Sequence, residues 1–347
     1  MAHRADPFFW RVWLLTVAVT IAVVAGINYL VDPFSIYGTG LFKPYRDNSY
    51  IKKAELFEKL APSRKALILG SSRMATVDPE VVTELTGKPC FNWAVPSAGV
   101  EIISACTRMA VEKYKAPVDL VIVGVDPEAF LPSLAIHAQA RLAPMYTPYI
   151  GDIGGELEIK EFTRDSLRLI TVEQFKASVG VLGREIHGES VTQLIEYRPD
   201  GFALYGPREE AIATGKLDLN ALIDERLRTY PDRNLCLTGK STLSESRMDE
   251  WVDYLQYCTE HGIRVYVYLP PAHPRYIEML GRFGALPLLH QLSEFLARTA
   301  KENGAVFHDY TDVESFGGDP RQFYDEIHTR YTNNNLLLER LLTSTSQ

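Results

Sequence analysis

At 347 residues with 46 % hydrophobic side chains, the chain is long and apolar enough to build a real core, which excludes a disordered tether. Its 36 basic and 44 acidic side chains leave a formal net charge of -8, a balance that repels phosphate backbones and argues against nucleic acid as a partner. Cys90, Cys106, Cys236 and Cys258 are widely spaced without a CxxC pair, so neither a zinc cluster nor a dithiol redox motif is encoded, and no metal or other cofactor is expected.

The first predicted element is membranous. From Val12 to Val31 twenty residues pass without a charge, broken only by Thr16, Thr20 and Asn28. That length matches a hydrocarbon core of roughly 30 Å. Arg4 and Arg11 precede the run and Asp32 follows it, with Trp10, Trp13 and Tyr29 placed as interfacial aromatics. The pattern predicts a cytoplasmic tail over 1–11, an anchor over 12–31 and export of everything beyond. Val23 and Ala25 also satisfy the small-residue rule of a signal-peptide cleavage site, but the apolar run continues through Leu30 and Val31, which favours the anchor. Residues 32–64 begin DPFSIYGTGLFKPY and are rich in turn formers, which predicts a juxtamembrane leash.

Beyond residue 65, short aliphatic runs alternate with stretches of helical period. The runs are Ala66 to Leu69, Cys90 to Val95, Leu120 to Val125, Arg264 to Leu269 and Val306 to Asp309. Helical spacing recurs at Ile102, Cys106 and Met109, at Met248, Trp251, Leu255 and Cys258, at Leu288, Leu292 and Phe295, and at Leu337, Leu338 and Leu341. The alternation predicts a three-layer α/β/α sandwich around a mostly parallel five-stranded sheet over residues 65–347. A polar segment at about 131–241 interrupts it and is expected as an insertion between the third and fourth strands, able to overhang a crevice at the strand ends.

Chemistry is concentrated at two places. In LILGSSRMA the first strand stops at Gly70 and delivers Ser71 and Ser72 at its carboxyl end, while Asp78 and Pro79 read as the cap and first turn of the next helix. A serine hydroxyl needs a base within hydrogen-bond reach, and that base needs an orienting group. FYDEIHTRYTNN supplies both, with Asp325 three residues before His328. Taken alone, Asp325 could equally cap a turn beside a surface histidine. His273, in LPPAHP at the end of the fourth strand, is the rival base, without a carboxylate at comparable spacing.

A strand leading into Gly70, Ser71 and Ser72, with a late Asp325 and His328, resembles the SGNH (GDSL-like) hydrolase superfamily. The GSSR form, the anchor followed by INYLVDPFSIYG, and FNWAVPSAG are similar to membrane-anchored bacterial SGNH proteins related to alginate O-acetyltransferases. The resemblance covers residues 65–130, 243–345 and the anchor, and leaves the insertion unexplained. It implies Ser72 as nucleophile, His328 as base and Asp325 as orienter, with oxyanion or substrate contacts sought among Gly99, Ser97, Asn92 and Arg73. The family's Gly-x-Asn block reads Gly124, Val125, Asp126 here. An ionised carboxylate cannot donate to an oxyanion, so Asp126 is expected instead to cap the helix opened by DPEAF.

The resemblance further implies a single-pass protein of the bacterial inner membrane, its catalytic domain periplasmic or extracellular, moving or removing O-acyl groups on a polysaccharide, with a multispanning membrane acyltransferase as a candidate partner. A catalytically inactive scaffold that binds glycan is the alternative, favoured by Asp126. An unrelated α/β receptor domain with accidental motifs is the third.

Overall fold

The computed structural model of the chain describes residues 7–150, 166–189, 194–232 and 237–343. Two compact units emerge: Ser49–Ile153 with Ile195–Gln347, and Met1–Asn48 with Gly154–Leu194. The chain enters the second of these through α1 (Pro7–Val31).

The larger unit opens with α2 (Ser49–Leu60), where Tyr50, Ala54 and Phe57 share one helical face and are buried. Phe57 packs on Trp93 with ring centroids 4.4 Å apart. The leash expected over 32–64 therefore gives way to domain at Ser49; lysines and glutamates between the three apolar positions disguise the helix in the sequence.

There follow β1 (Ala66–Gly70), α3 (Pro79–Thr86), β2 (Cys90–Asn92), α4 (Val100–Arg108) and β3 (Leu120–Gly124). Asp78 caps α3 as its sequence predicts, accepting from the Glu80 N–H at 3.0 Å. The insertion contributes α5 (Val172–Ile186), a hairpin of β4 (Glu196–Tyr197) and β5 (Ala203–Leu204), α6 (Gly206–Ala213) and α7 (Leu219–Arg228). The domain closes with α8 (Glu245–Glu260), β6 (Arg264–Leu269), α9 (Pro274–Arg282), α10 (Leu286–Glu302), β7 (Val306–Asp309) and α11 (Tyr331–Thr343).

The main sheet has the order β2-β1-β3-β6-β7, and every neighbouring pair is parallel. Its central strands are buried on both faces, which is why they read as continuous aliphatic runs rather than as alternations. Leu67, Val121, Val123 and Val267 point to the layer holding Trp251, Leu255 and Leu296. Ile68, Ile122 and Tyr268 point to the opposite layer with Val82, Leu337 and Leu341. The three-layer α/β sandwich is thus present with helices on both faces.

β2 is shorter than the run Cys90 to Val95 suggests. After Asn92 the chain continues alongside β1, its Trp93 N–H donating to Ile68 O at 2.8 Å and its Val95 N–H to Gly70 O at 3.1 Å. Successive strands leave β1 in opposite directions, to β2 on one side and β3 on the other, so their loops diverge above the β1/β3 boundary and open a crevice at the carboxyl ends.

The predicted insertion does not behave as one piece. Residues 154–194 belong to the unit containing α1, whereas the chain from Ile195 onward packs on the sheet unit, with Ile195 and Ala203 buried around Ala75. In the smaller unit α5 packs on α1. Asn28 of α1 donates to Leu169 O at 2.7 Å and accepts from Ser178 Oγ at 2.8 Å, while Val31 and Val181 pack together. The helix then stops at Asp32, whose carboxylate accepts the N–H groups of Ile36, Tyr37 and Gly38. From Phe8 to Val31, α1 is long and apolar enough to cross a membrane.

Candidate active site

Gly70 and Gly124 are register partners at the carboxyl ends of β1 and β3. A Cβ on Gly70 would strike the Gly124 carbonyl oxygen and Met74, and one on Gly124 would strike the Met74 thioether. Gly70 also holds φ at +134°, which side-chain-bearing residues rarely adopt. The paired glycines let Met74 fold beneath the turn, where its sulfur accepts from Tyr268 Oη at 3.0 Å. That is why the aliphatic run stops at glycine.

The turn itself is a 3-10 segment, Ser72–Met74, with Ser71 as its cap. Ser71 Oγ accepts from the Arg73 N–H at 3.1 Å and is buried, so it is committed to the turn. Ser72 Oγ lies 2.8 Å from His328 Nε2, across a sequence separation of 256 residues. His328 Nδ1 lies 2.8 and 3.0 Å from the two Asp325 carboxylate oxygens. A carboxylate can only accept, so the proton sits on Nδ1 and the Nε2 lone pair faces the serine hydroxyl.

Asp325 fills both roles open to it. Its Oδ1 accepts the backbone N–H groups of Ile327 at 3.1 Å and His328 at 2.9 Å, capping the turn, while also receiving the imidazole N–H. Burial by itself pushes its pKa up, but the neighbouring His328, Arg226 and the Ile327 N–H outweigh burial and hold the carboxyl well below its ordinary value. Arg208 Nη2 stands 3.5 Å and Arg226 Nη1 3.6 Å from its Oδ2. Both arginines come from the insertion, on α6 and α7, and no motif announced either one.

A buried polar triangle joins the Ser72 loop to the His328 loop. Asn334, in the first turns of α11, donates to Thr76 O and to Thr76 Oγ1 at 3.0 Å and accepts from Thr329 Oγ1 at 2.6 Å; Thr76 Oγ1 donates to Thr329 O at 3.1 Å. The two strand-end loops are thereby locked to one helix.

His273 is not part of this line. It caps α9 through Nδ1, which accepts from the Arg275 N–H at 3.3 Å, and its ring packs edge-on to Phe323. Burial lowers its pKa, disfavouring the charged form. Its backbone N–H donates to Glu326 O at 3.0 Å, so it buttresses the Asp325–His328 loop instead.

The four oxyanion candidates separate. Asn92 is fully buried and gives its amide hydrogens to Met74 O and Val77 O, each at 2.8 Å, leaving neither for a substrate. Arg73 gives Nη2 to the carbonyls of Pro270 and Pro271 at 2.8 and 2.7 Å. Ser97 is exposed, in a left-handed turn with φ at +51°. Gly99 is buried at the start of α4, where the Glu101 carboxylate and Leu134 would meet any Cβ. Of the four, Asn92 and Arg73 thus have side-chain donors committed to backbone carbonyls, while Ser97 and Gly99 sit in the turn that opens α4.

Asp126 corrects its expected role. It occupies the cap position of the short 3-10 turn Pro127–Phe130, yet its side chain makes no capping hydrogen bond. The carboxylate turns instead to the buried Arg73 guanidinium, Nη1 to Oδ1 3.6 Å, an opposite charge that attracts it across a poorly screened gap. Behind this pair lies Glu128, whose pKa burial and Asp126 raise to about 7 against the opposing pull of Arg73.

No family model matches the chain, and no curated protein matches it.

Proposed function

We propose that the chain is an exported, membrane-anchored serine acyltransferase or acylesterase acting on O-acyl groups, acetyl foremost, of a cell-surface polysaccharide. The observation that carries this reading is the hydrogen-bonded line Ser72, His328, Asp325 at the sheet's switch point. Ser72 Oγ attacks the acyl carbonyl carbon as its proton passes to His328 Nε2; the imidazolium then gives that proton to the departing alcohol oxygen, leaving an acyl-serine. A sugar hydroxyl or water repeats the sequence in reverse roles, its proton taken by His328 and returned to Ser72. Asp325 holds the tautomer and stabilises the imidazolium without taking the proton. An outward-facing transferase needs acyl groups delivered across the bilayer, which makes a multispanning membrane acyltransferase the fitting partner.

A second reading, an inactive glycan-binding scaffold, is favoured by Asp126 standing where the resembled family has asparagine, with Arg73 and Asn92 both committed to backbone carbonyls. A fluorophosphonate probe on the full chain separates the two. Labelling at Ser72 that falls about 10²- to 10⁴-fold in His328→Ala supports the enzyme. A folded wild-type protein that does not label supports the scaffold.

A further inference from the structure

Among the described residues helix α5 packs on α1 and meets Tyr45, and it leaves an apolar stripe exposed on its other side. Gln174, Ser178 and Val181 face α1 and are buried. On the opposite side lie Val172, Val179 and Ile186, 68 %, 50 % and 79 % exposed, with Phe175 and Leu182 flanking them and Lys176 the single charge among them. Leu167 and Ile170, in the turn before the helix, are exposed as well. Glu173, Arg184 and Glu185 lie off this stripe, so α5 is an amphipathic helix whose exposed apolar side chains are at home against protein or lipid rather than in water.

We infer that α5 and the turn before it enter the outer leaflet of the bilayer that α1 spans, as a second, non-spanning membrane contact. The inference rests on reading α1 as the anchor. Three observations commit the occupant to lipid. The buried side of α5 is fixed to α1, because Asn28 bonds both Leu169 and Ser178 and Val31 packs on Val181, so α5 lies beside the last turns of a segment apolar enough to cross a membrane. At 15 residues α5 is about 22 Å long, too short to cross a hydrocarbon core of roughly 30 Å but well sized to lie within one leaflet. Finally, Asn28 and Ser178 satisfy each other inside the pair, which is what polar side chains at membrane depth require. Lys176 has the reach to carry its ammonium to the headgroups while its stem stays among the apolar side chains.

The test places an environment-sensitive fluorophore on the full chain in vesicles of phosphatidylcholine and phosphatidylglycerol, at Val179→Cys, Ile186→Cys, Trp13→Cys on α1 and Glu80→Cys on α3, in a Cys236→Ser background. Doxyl-labelled phosphatidylcholine should quench positions 13, 179 and 186, and aqueous iodide only position 80. Quenching at 13 with iodide access at 179 and 186 overturns the α5 inference while the anchor stands. Protection of 179 and 186 from both quenchers also overturns it, by showing that protein covers the face. Iodide access at 13 removes the anchor reading and this inference with it.

Discussion

The guanidinium of Arg73 faces the carboxylate of Asp126 at 3.6 Å, joining the residue after the nucleophile to the residues that leave β3. Arg73 is thereby held between one carboxylate and the carbonyls of Pro270 and Pro271, which ties together the carboxyl ends of β1, β3 and β6. Ser72 is presented by a turn braced on three strands.

Asp126→Asn should therefore lower stability by about 1 to 3 kcal/mol, because it leaves a buried guanidinium without its countercharge. Turnover of an acetyl ester per folded molecule should change only a few-fold. Urea midpoints and turnover measured on the same preparation check both. A rise of about a hundredfold in turnover would instead identify Asp126 as a charge repelling the oxyanion.

Asp325→Asn should keep the turn, since the amide oxygen can still accept from the Ile327 and His328 N–H groups, while favouring the wrong imidazole tautomer. Acetyl-ester turnover should fall by about four orders of magnitude with KM little changed. Because the native carboxyl is held below its ordinary value, its contribution to stability is complete above the unfolded-state pKa of about 3.9 and is lost as pH falls below it. The asparagine variant should lack that acid limb in melts taken from neutrality downward.

Lys53 is fully buried and donates to Asn92 O at 2.7 Å, to Asn92 Oδ1 at 3.2 Å and to Gly201 O. Lys53→Met should cost about 1 to 3 kcal/mol through the carbonyls it strands. Burial lowers its pKa to about 7, so between there and the ordinary 10.5 the unfolded chain binds more protons than the folded one. Wild-type stability relative to the methionine variant should consequently rise with pH across that window, as denaturant titrations at several pH values would register.

Glu128→Gln should show the opposite slope. Its folded pKa is raised from 4.5 to about 7, so the folded state holds the extra proton and stability drains away as pH rises through that interval. The glutamine variant, unable to ionise beside Asp126, should gain on wild type as pH rises from 5 to 8 in paired thermal melts. A constant difference across that range would show that Glu128 titrates normally.

The strands and the Asp325–His328 contact were legible because each is written locally: a two-sided buried strand is an unbroken aliphatic run, and Asp325 lies close enough in sequence to His328 for one turn to join them. Asp78 was legible as a cap for the same reason. What the sequence hid is non-local. Arg208 and Arg226 look like ordinary helix-surface charges until Asp325 is placed beneath them, and Asn334 looks like one of three successive asparagines until it meets Thr76. Asp126 failed as a cap because local preference does not know that Arg73 is buried nearby. Asn28 reads as a blemish in an apolar run; its meaning depends on Ser178, 150 residues away.

The triangle of Thr76, Thr329 and Asn334 also joins two distant parts of the chain. Ser72 follows the first strand of the sheet unit and His328 follows its last, and α11 clamps their loops together. A nascent chain missing only its final twenty or so residues holds the whole parallel sheet, yet has no histidine for Ser72 and no clamp to align it. The Ser72–His328 contact therefore depends on α11 as well as on the sheet.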